Sequence, residues 1–342
     1  MKSVIKKYVK NLLMIAFFTF IALYFSLKGE FSVVLDTVKN AKLIYVLVAF
    51  IIMCAYYVLE GYVLTIFGRL YNRFYTFKQG IVNSFVAAFF NGITPFQSGG
   101  QFAQVFVFNK QKIEPKFSAS ILLLNFIVYQ SVVVLYSLVV VILKYPYYRS
   151  HFSNFFSLAL LGFGINFFVI CSLFVGAKSK SLQNFFVNVV LKVGAKVHLV
   201  RDYETEVHKV NQHLEDFRRE LKTLQKNKRM LIQVSTLNII KLTLLYSIPY
   251  FCAKSLSLDV SQIKLTEFIG VTSFVYMITS FIPIPGASGG SEGTFIIMFG
   301  YLLGSVGAKG SMIVWRFVTY YSILIVGAIV FGLDQDINRK GS

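Results

Sequence analysis

Acidic residues are scarce in this chain: 15 Asp and Glu stand against 34 Lys and Arg among 342 residues, for a formal net charge of +19. Cysteine is scarcer still. Cys54, Cys171 and Cys252 lie in separate apolar runs with no C-x-x-C spacing. That excludes a disulfide framework or a cysteine metal site and marks them as small hydrophobes. His151, His198, His208 and His213 show no metal spacing on a shared helical face. Walker A, G-x-S-x-G and H-E-x-x-H motifs are all missing, so active transport by this chain would draw on an ion gradient. No catalytic residue, metal ligand or cofactor is assigned, and the chain is read as not an enzyme. The basic excess would suit nucleic acid, but no RNA- or DNA-binding motif accompanies it, and no nucleic-acid partner is expected.

What the chain has instead is apolar bulk. Hydrophobic residues make up 56% of it, with 36 Phe and 20 Tyr, and the mean hydropathy is +0.65. This is the composition of an integral membrane protein. Lys2, Lys6, Lys7 and Lys10 precede an apolar run, but no small-x-small cleavage site follows. Asn11–Leu27 is therefore read as a retained first span. Further full spans are expected at Leu43–Gly68, Phe117–Leu143, Phe155–Gly176, Met230–Ala253 and Ser311–Leu333. Two other apolar stretches are interrupted. Gln79–Asn109 breaks at Thr94–Gln101, and Leu265–Leu303 breaks at Pro283–Gly293.

The placement of Lys and Arg sets the topology. The basic N-terminus, the Arg69/Arg73/Lys78 loop, the Lys110/Lys112/Lys116 loop and the Lys178–Arg229 segment all belong on the cytoplasmic side, as does the Arg339-Lys340 tail. Both flanks of Gln79–Asn109 then lie on one side, so this stretch enters the membrane and turns back. Leu265–Leu303 does the same from the opposite face. The expected fold is an all-α polytopic membrane protein with six full transmembrane helices. Two oppositely oriented re-entrant helical hairpins complete an inverted repeat. The first half covers 1–176, a cytoplasmic segment 177–229 and the second half 230–342.

Pro/Gly-rich backbone survives at membrane depth only where it lines a protein-enclosed or watery cavity. The two breaks are therefore the candidate substrate site. In the second, Pro283 and Pro285 end the incoming half-helix, and Gly286, Gly289, Gly290 and Gly293 permit close backbone approach. Ser291 is expected to cap the outgoing half-helix near Thr294. Glu292 would then sit at a positive helix end, as the anionic partner of a cationic headgroup. In the first, Thr94 and Pro95 end one half-helix, and the free amides of Gly99 and Gly100 start another, a geometry that suits a phosphate. Gln101 and Gln104 would bond a headgroup or tie the hairpin to its neighbours. Arg316 would stand beside the phosphate. It and Lys241 are otherwise expected to snorkel to an interface, and Glu60 to pair with a base.

The segment 178–229 holds 12 Lys and Arg, 6 Asp and Glu and three of the four histidines. Val207, Val210, Leu214, Phe217, Leu221 and Leu224 form one helical stripe, and Leu182, Phe185, Phe186, Val189, Val190 and Val193 another. Two amphipathic helices are expected. They either lie on anionic lipid or gate the site, or they pack on themselves or on the second copy of a homodimer.

Thr94-Pro95-Phe96-Gln97-Ser98-Gly99-Gly100-Gln101-Phe102-Ala103-Gln104 resembles the T-P-x-x-x-G-G-Q-P-x-Q motif of the lysylphosphatidylglycerol synthase transmembrane-region family. Pro283-x-Pro285-Gly286-Ala287-Ser288-Gly289-Gly290-Ser291-Glu292 resembles its P-x-P-G-G-x-G-x-x-E, and Trp315-Arg316-Phe317-x-x-Tyr320-Tyr321 its W-R-x-x-x-Y-Y. Phe102 replaces the usual proline and Ala287 a usual glycine. In the multiple peptide resistance factors of this family, the region moves aminoacylated phosphatidylglycerol between leaflets, and a soluble C-terminal domain makes that lipid. The resemblance implies a stand-alone, flippase-like protein of the bacterial plasma membrane with cytoplasmic termini and no synthase domain. Its substrate would be an anionic phospholipid or a glycolipid, modified by a separate enzyme. A membrane-embedded glycosyl- or aminoacyl-transferase and a small-solute secondary transporter are the alternatives.

Overall fold

The computed structural model describes residues 31–151, 226–280 and 282–340, with isolated positions between 157 and 222. The expected first span Asn11–Leu27, most of Phe155–Gly176 and the amphipathic stripes of 178–229 lie outside the described residues. Within them every regular element is helical. Four helical stretches are long and apolar enough to cross a membrane: Leu43–Gly68, Pro115–Lys144, Lys228–Ser255 and Pro285–Leu333.

In chain order the helices are α1 (Phe31–Lys39), α2 (Leu43–Gly68), α3 (Phe77–Gly92), α4 (Gly99–Lys110), α5 (Pro115–His151), α6 (Lys228–Ser255), α7 (Leu265–Thr279), α8 (Gly290–Arg316) and α9 (Ser322–Lys340). α1 occupies what reads in the sequence as a loop. α5 runs eight residues past the expected Leu143, through Pro146. α8 begins at Gly290, four residues before the expected start, and is helical on both sides of Gly304, whose φ of 69° and ψ of 171° break it. A five-residue π-turn, Phe317–Tyr321, joins α8 to α9.

Length separates the helices into two kinds. The 26 residues of α2 reach about 39 Å at 1.5 Å per residue, enough for a hydrocarbon core of about 30 Å. The 16 residues of α3 and 12 of α4 reach only about 24 and 18 Å. α3 and α4 form a first pair whose start and finish lie side by side, and α7 and α8, of 15 and 27 residues, form a second. α3 starts on a capping box in which Thr76 Oγ1 accepts from Gln79 N and Gln79 Oε1 accepts from Thr76 N. Nearby, Tyr75 Oη donates to Gln111 Oε1 at 2.7 Å, just past the end of α4, and Gln111 Nε2 donates to Gln79 O at 3.0 Å. The second pair closes at the other end. There Lys42 N donates to Ser255 O at 2.6 Å, Lys144 pairs with Glu267 at 3.8 Å, and Gly310 of α8 lies against Leu256 and Thr37. The two turns meet mid-bundle, where Tyr320 Oη donates to Gly92 O at 2.9 Å.

The main core joins α2, α6, α7 and α8 through Met53, Tyr246, Phe274, Phe295 and Trp315. A second core, with Phe67, Tyr75, Phe108 and Ile121, closes the end formed by α2, α4 and α5. α2 and α3 touch backbone to backbone. A Cβ on Gly80 would stand 2.1 Å from Gly61 O and 2.3 Å from Thr65 Oγ1. Small residues at such a contact let helices approach where lipid supplies no hydrophobic drive. Gly80→Ala is therefore expected to cost about 1–3 kcal/mol, seen as a lowered thermal midpoint of the detergent-purified protein. Gly300→Ala, where a Cβ meets nothing within 4 Å, should be neutral or stabilising.

Candidate functional site

The first break is held by neutral side chains. Thr94 Oγ1 donates to Phe90 O at 2.7 Å and accepts from Gly99 N at 2.8 Å. Asn91 Oδ1 accepts from Gly100 N at 2.9 Å. The two amides expected to be free for a phosphate are thus already bonded inside the turn. Glycine is required at both positions for space: a Cβ would come within 2.5 Å of Thr94 at Gly99 and 2.2 Å of Asn91 at Gly100. Pro95 opens a 3-10 turn in which Phe96 and Gln97 take φ of 53° and 54°. This left-handed backbone is unusual for such side chains, and it is enforced from both sides by the Thr94 and Asn91 bonds.

The second break is held by charge. Pro285–Ala287 forms a matching 3-10 turn with Gly286 at φ 62°. A Cβ on Gly286 would stand 2.4 Å from the Tyr320 ring, so glycine there serves both conformation and approach. Glu292 reaches back over the start of α8, its Oε2 accepting from Gly289 N at 2.7 Å and from Ser291 Oγ at 2.8 Å. The cap expected of Ser291 is therefore supplied by Glu292, because α8 starts at Gly290 and puts that carboxylate in reach of the last free amide. Glu292 Oε1 lies 2.8 Å from Arg316 Nε, with side-chain exposures of 1% and 7%. The contact is an ion pair without hydrogen-bond alignment, and neither atom has another hydrogen-bond partner. Arg316 Nη1 donates to Gly286 O at 3.2 Å and Nη2 to Ser288 Oγ at 3.3 Å. Its guanidinium lies over the Tyr320 ring at 4.3 Å. Arg316 therefore staples the second turn from inside and does not snorkel.

Between the two turns is a cavity of about 300 Å³. Its wall is rich in aromatic and polar groups: Tyr56, Tyr57, Phe96, Tyr129, Tyr276, Trp315 and Tyr320, with Asn91, Gln97, Thr279, Ser280, Ser291 and Thr319. Among the described residues lining it, Arg316 alone carries a formal charge. Gly286 is the other residue of the sequence-derived set that reaches the wall. Thr94, Gly99 and Gly100 serve the first turn from behind, and Pro95 and Pro283 are exposed. Pro285, Gly289, Gly290 and Glu292 build the second turn. Gln101 is exposed and Gln104 buried, and neither lines the cavity. The sequence does not mark these tyrosines, because an aromatic ring within an apolar span carries no signal that separates a cavity wall from a lipid-facing side. Gln97, Trp315 and Tyr320 sit within the quoted motifs but were not assigned a role.

A second buried ion pair lies behind Tyr56 and Tyr129. Lys241 Nζ contacts Glu60 Oε2, with side-chain exposures of 1% and 18%. Asn125 Nδ2 donates to Glu60 Oε1 at 2.8 Å. Lys241, too, is not at an interface, since α6 turns it toward the interior. No three His, Cys, Asp or Glu come together to hold a metal ion among the described residues.

The fold and site define a polytopic helical membrane protein with an aromatic cavity between two interrupted helix pairs. The chain matches the family described as Lysylphosphatidylglycerol synthase TM region over residues 11–327, and it belongs to that family. Comparison with curated proteins finds no match.

Breaking a buried pair by removing one partner leaves an uncompensated charge, at a cost of about 3–5 kcal/mol. Glu292→Gln and Arg316→Met are each expected to lower the thermal midpoint sharply. The combined E292Q/R316M should recover most of that loss, as a thermal double-mutant cycle in detergent would show.

Proposed function

We propose that this protein translocates a phosphate-bearing lipid between the leaflets of the bacterial plasma membrane, its headgroup passing through the cavity where the two breaks meet. The observation that carries this reading is the wall of that cavity. One cation, Arg316, faces it amid seven aromatic side chains and several hydroxyls. A guanidinium suits a phosphate, and the aromatic and hydroxyl groups suit the polar remainder of a headgroup. Glu292 lies behind Arg316 and does not line the cavity, which favours a phosphate over a cation as the recognised group. Aminoacylated phosphatidylglycerol and a phosphate-linked glycolipid share that phosphate. A transferase would need a carboxylate facing the headgroup, whereas the charged group on the described wall is Arg316.

In this reading the pairs α3/α4 and α7/α8 are re-entrant hairpins, and with six full spans they form an inverted repeat around the cavity. The end bearing Arg69, Arg73, Lys78, Lys110, Lys112, Lys116 and Lys228 is cytoplasmic, as are both termini. Single cysteines at Asn72, Lys112 and Ser261, in a background without Cys54, Cys171 and Cys252, test the arrangement. Positions 72 and 112 should react with an impermeant thiol reagent from one side and 261 from the other. Labelling of 72 and 112 from opposite sides would make α3 and α4 a crossing and end the hairpin reading.

In proteoliposomes with fluorescent phosphatidylglycerol, the wild type should make inner-leaflet lipid reachable by external dithionite. The charge-balanced E292Q/R316M should do so at least tenfold more slowly, about 1.4 kcal/mol on a barrier. Wild-type vesicles no faster than protein-free ones would overturn the reading. Leakage of a small entrapped solute at the same rate as lipid would favour the solute transporter.

A further inference from the structure

Lys241 is an expensive residue to place where it is. Its side chain is 1% exposed, and a buried ammonium costs several kcal/mol unless paired and bonded. Its surroundings supply one carboxylate, Glu60, and two rings, Tyr129 at 4.6 Å and Tyr56 at 5.2 Å from Nζ. Such a pair is weak as a structural device, since apolar replacement of similar volume is often neutral or stabilising. Polar capacity beside it is unspent. Asn125 Oδ1 is buried without a partner, and so are both side-chain polar atoms of Asn238, one helical turn before Lys241. Asn238 is fully buried.

The pair also has a defined relation to the cavity. Tyr56 and Tyr129 are at once the cavity wall and the rings over Lys241. Two side chains therefore separate the ammonium from the cavity. α2 runs from the end that holds Lys42 to the end that holds Arg69, and Glu60 follows Tyr56 by one turn. The pair thus lies on the side of the cavity toward the Arg69 end, whereas Arg316 sits at the meeting of the turns.

We infer that Lys241 is a second phosphate site: when Tyr56 and Tyr129 swing aside, the phosphate displaces Glu60 and bonds Lys241, with Asn238 Nδ2 and the Asn125 Nδ2 that Glu60 gives up as further donors. This rests on the translocase reading and adds a station to it. The headgroup exchanges between Lys241 and Arg316, and Glu60 is the internal competitor that keeps the vacant station neutral. Its role is the release of the phosphate, since each departure is driven by re-formation of the ion pair.

The test uses the full chain in detergent and two probes by calorimetric titration, soluble dihexanoyl phosphatidylglycerol and inorganic phosphate. Glu60→Gln removes the competitor, so the lipid should bind at least fivefold tighter while translocation in proteoliposomes slows at least threefold. The charge-balanced E60Q/K241M should lose that tightening and translocate at least tenfold more slowly, at a thermal midpoint within a few degrees of wild type. Inorganic phosphate binding with the same pattern in place of the lipid would assign the site to free phosphate. A pair that only holds helices together would instead give a destabilised Glu60→Gln with unchanged affinity, and an E60Q/K241M that translocates like wild type. Either result overturns the proposal. Binding that responds as expected in a protein that moves no lipid would sink the translocase reading and keep the site. Translocation untouched by E60Q/K241M would do the reverse.

Discussion

The contact between Glu292 and Arg316 is the constraint on which the centre of this structure depends. A chain that turns back inside a bundle exposes amides and carbonyls that no helix satisfies, and away from water each must find a partner. At the second turn those partners are ionic. One carboxylate takes the amide of Gly289 just before α8, and one guanidinium takes the carbonyl of Gly286. The two charges cancel each other at 2.8 Å, and the tyrosine that lies over the guanidinium reaches across to Gly92 of the first turn. A single linked set of groups thereby holds a helix start, a left-handed glycine and the junction of the two halves.

The halves solve the same problem with different chemistry. The first turn uses Thr94 and Asn91, neutral and short, and its glycines exist for space. The second uses Glu292 and Arg316, and Gly286 and Gly289 carry positive φ. The cavity between them inherits the asymmetry: the side-chain amides of Asn91 and Gln97 face it beside the first turn, and the guanidinium of Arg316 faces it beside the second.

Much of this architecture is legible in the residues alone, and the reason is local. Gly99-Gly100 and Pro283–Gly293 interrupt apolar runs, and backbone that cannot continue a helix announces itself without knowledge of its neighbours. The long spans are legible because length and hydropathy are properties of a segment. Partnerships are not. Glu60 and Lys241 are 181 residues apart, and nothing in either segment records that α2 and α6 lie side by side. The same holds for the tyrosines of the cavity and for Arg316, whose sequence context suits an interface as well as an interior. The start of α8 is misplaced for a subtler reason. Ser291 looks like a cap, but Glu292 with its longer reach wins the amide once the helix begins one turn earlier.

The bond from Tyr320 to Gly92 spans 228 residues, and around it Phe331 stacks on Phe89 and meets Phe90 edge-on, while Gly327 lies against Phe85 O. α9, made long after α3, is thus one of the walls on which the first short pair rests. At about 5–20 residues per second, the ribosome delivers that wall roughly 10–45 seconds after α3 has emerged. For that interval the pair has α2 on one flank and no α9 on the other. Over that interval the face of Phe85–Gly92 that α9 later covers is without that cover, so the order of synthesis and the order of packing differ.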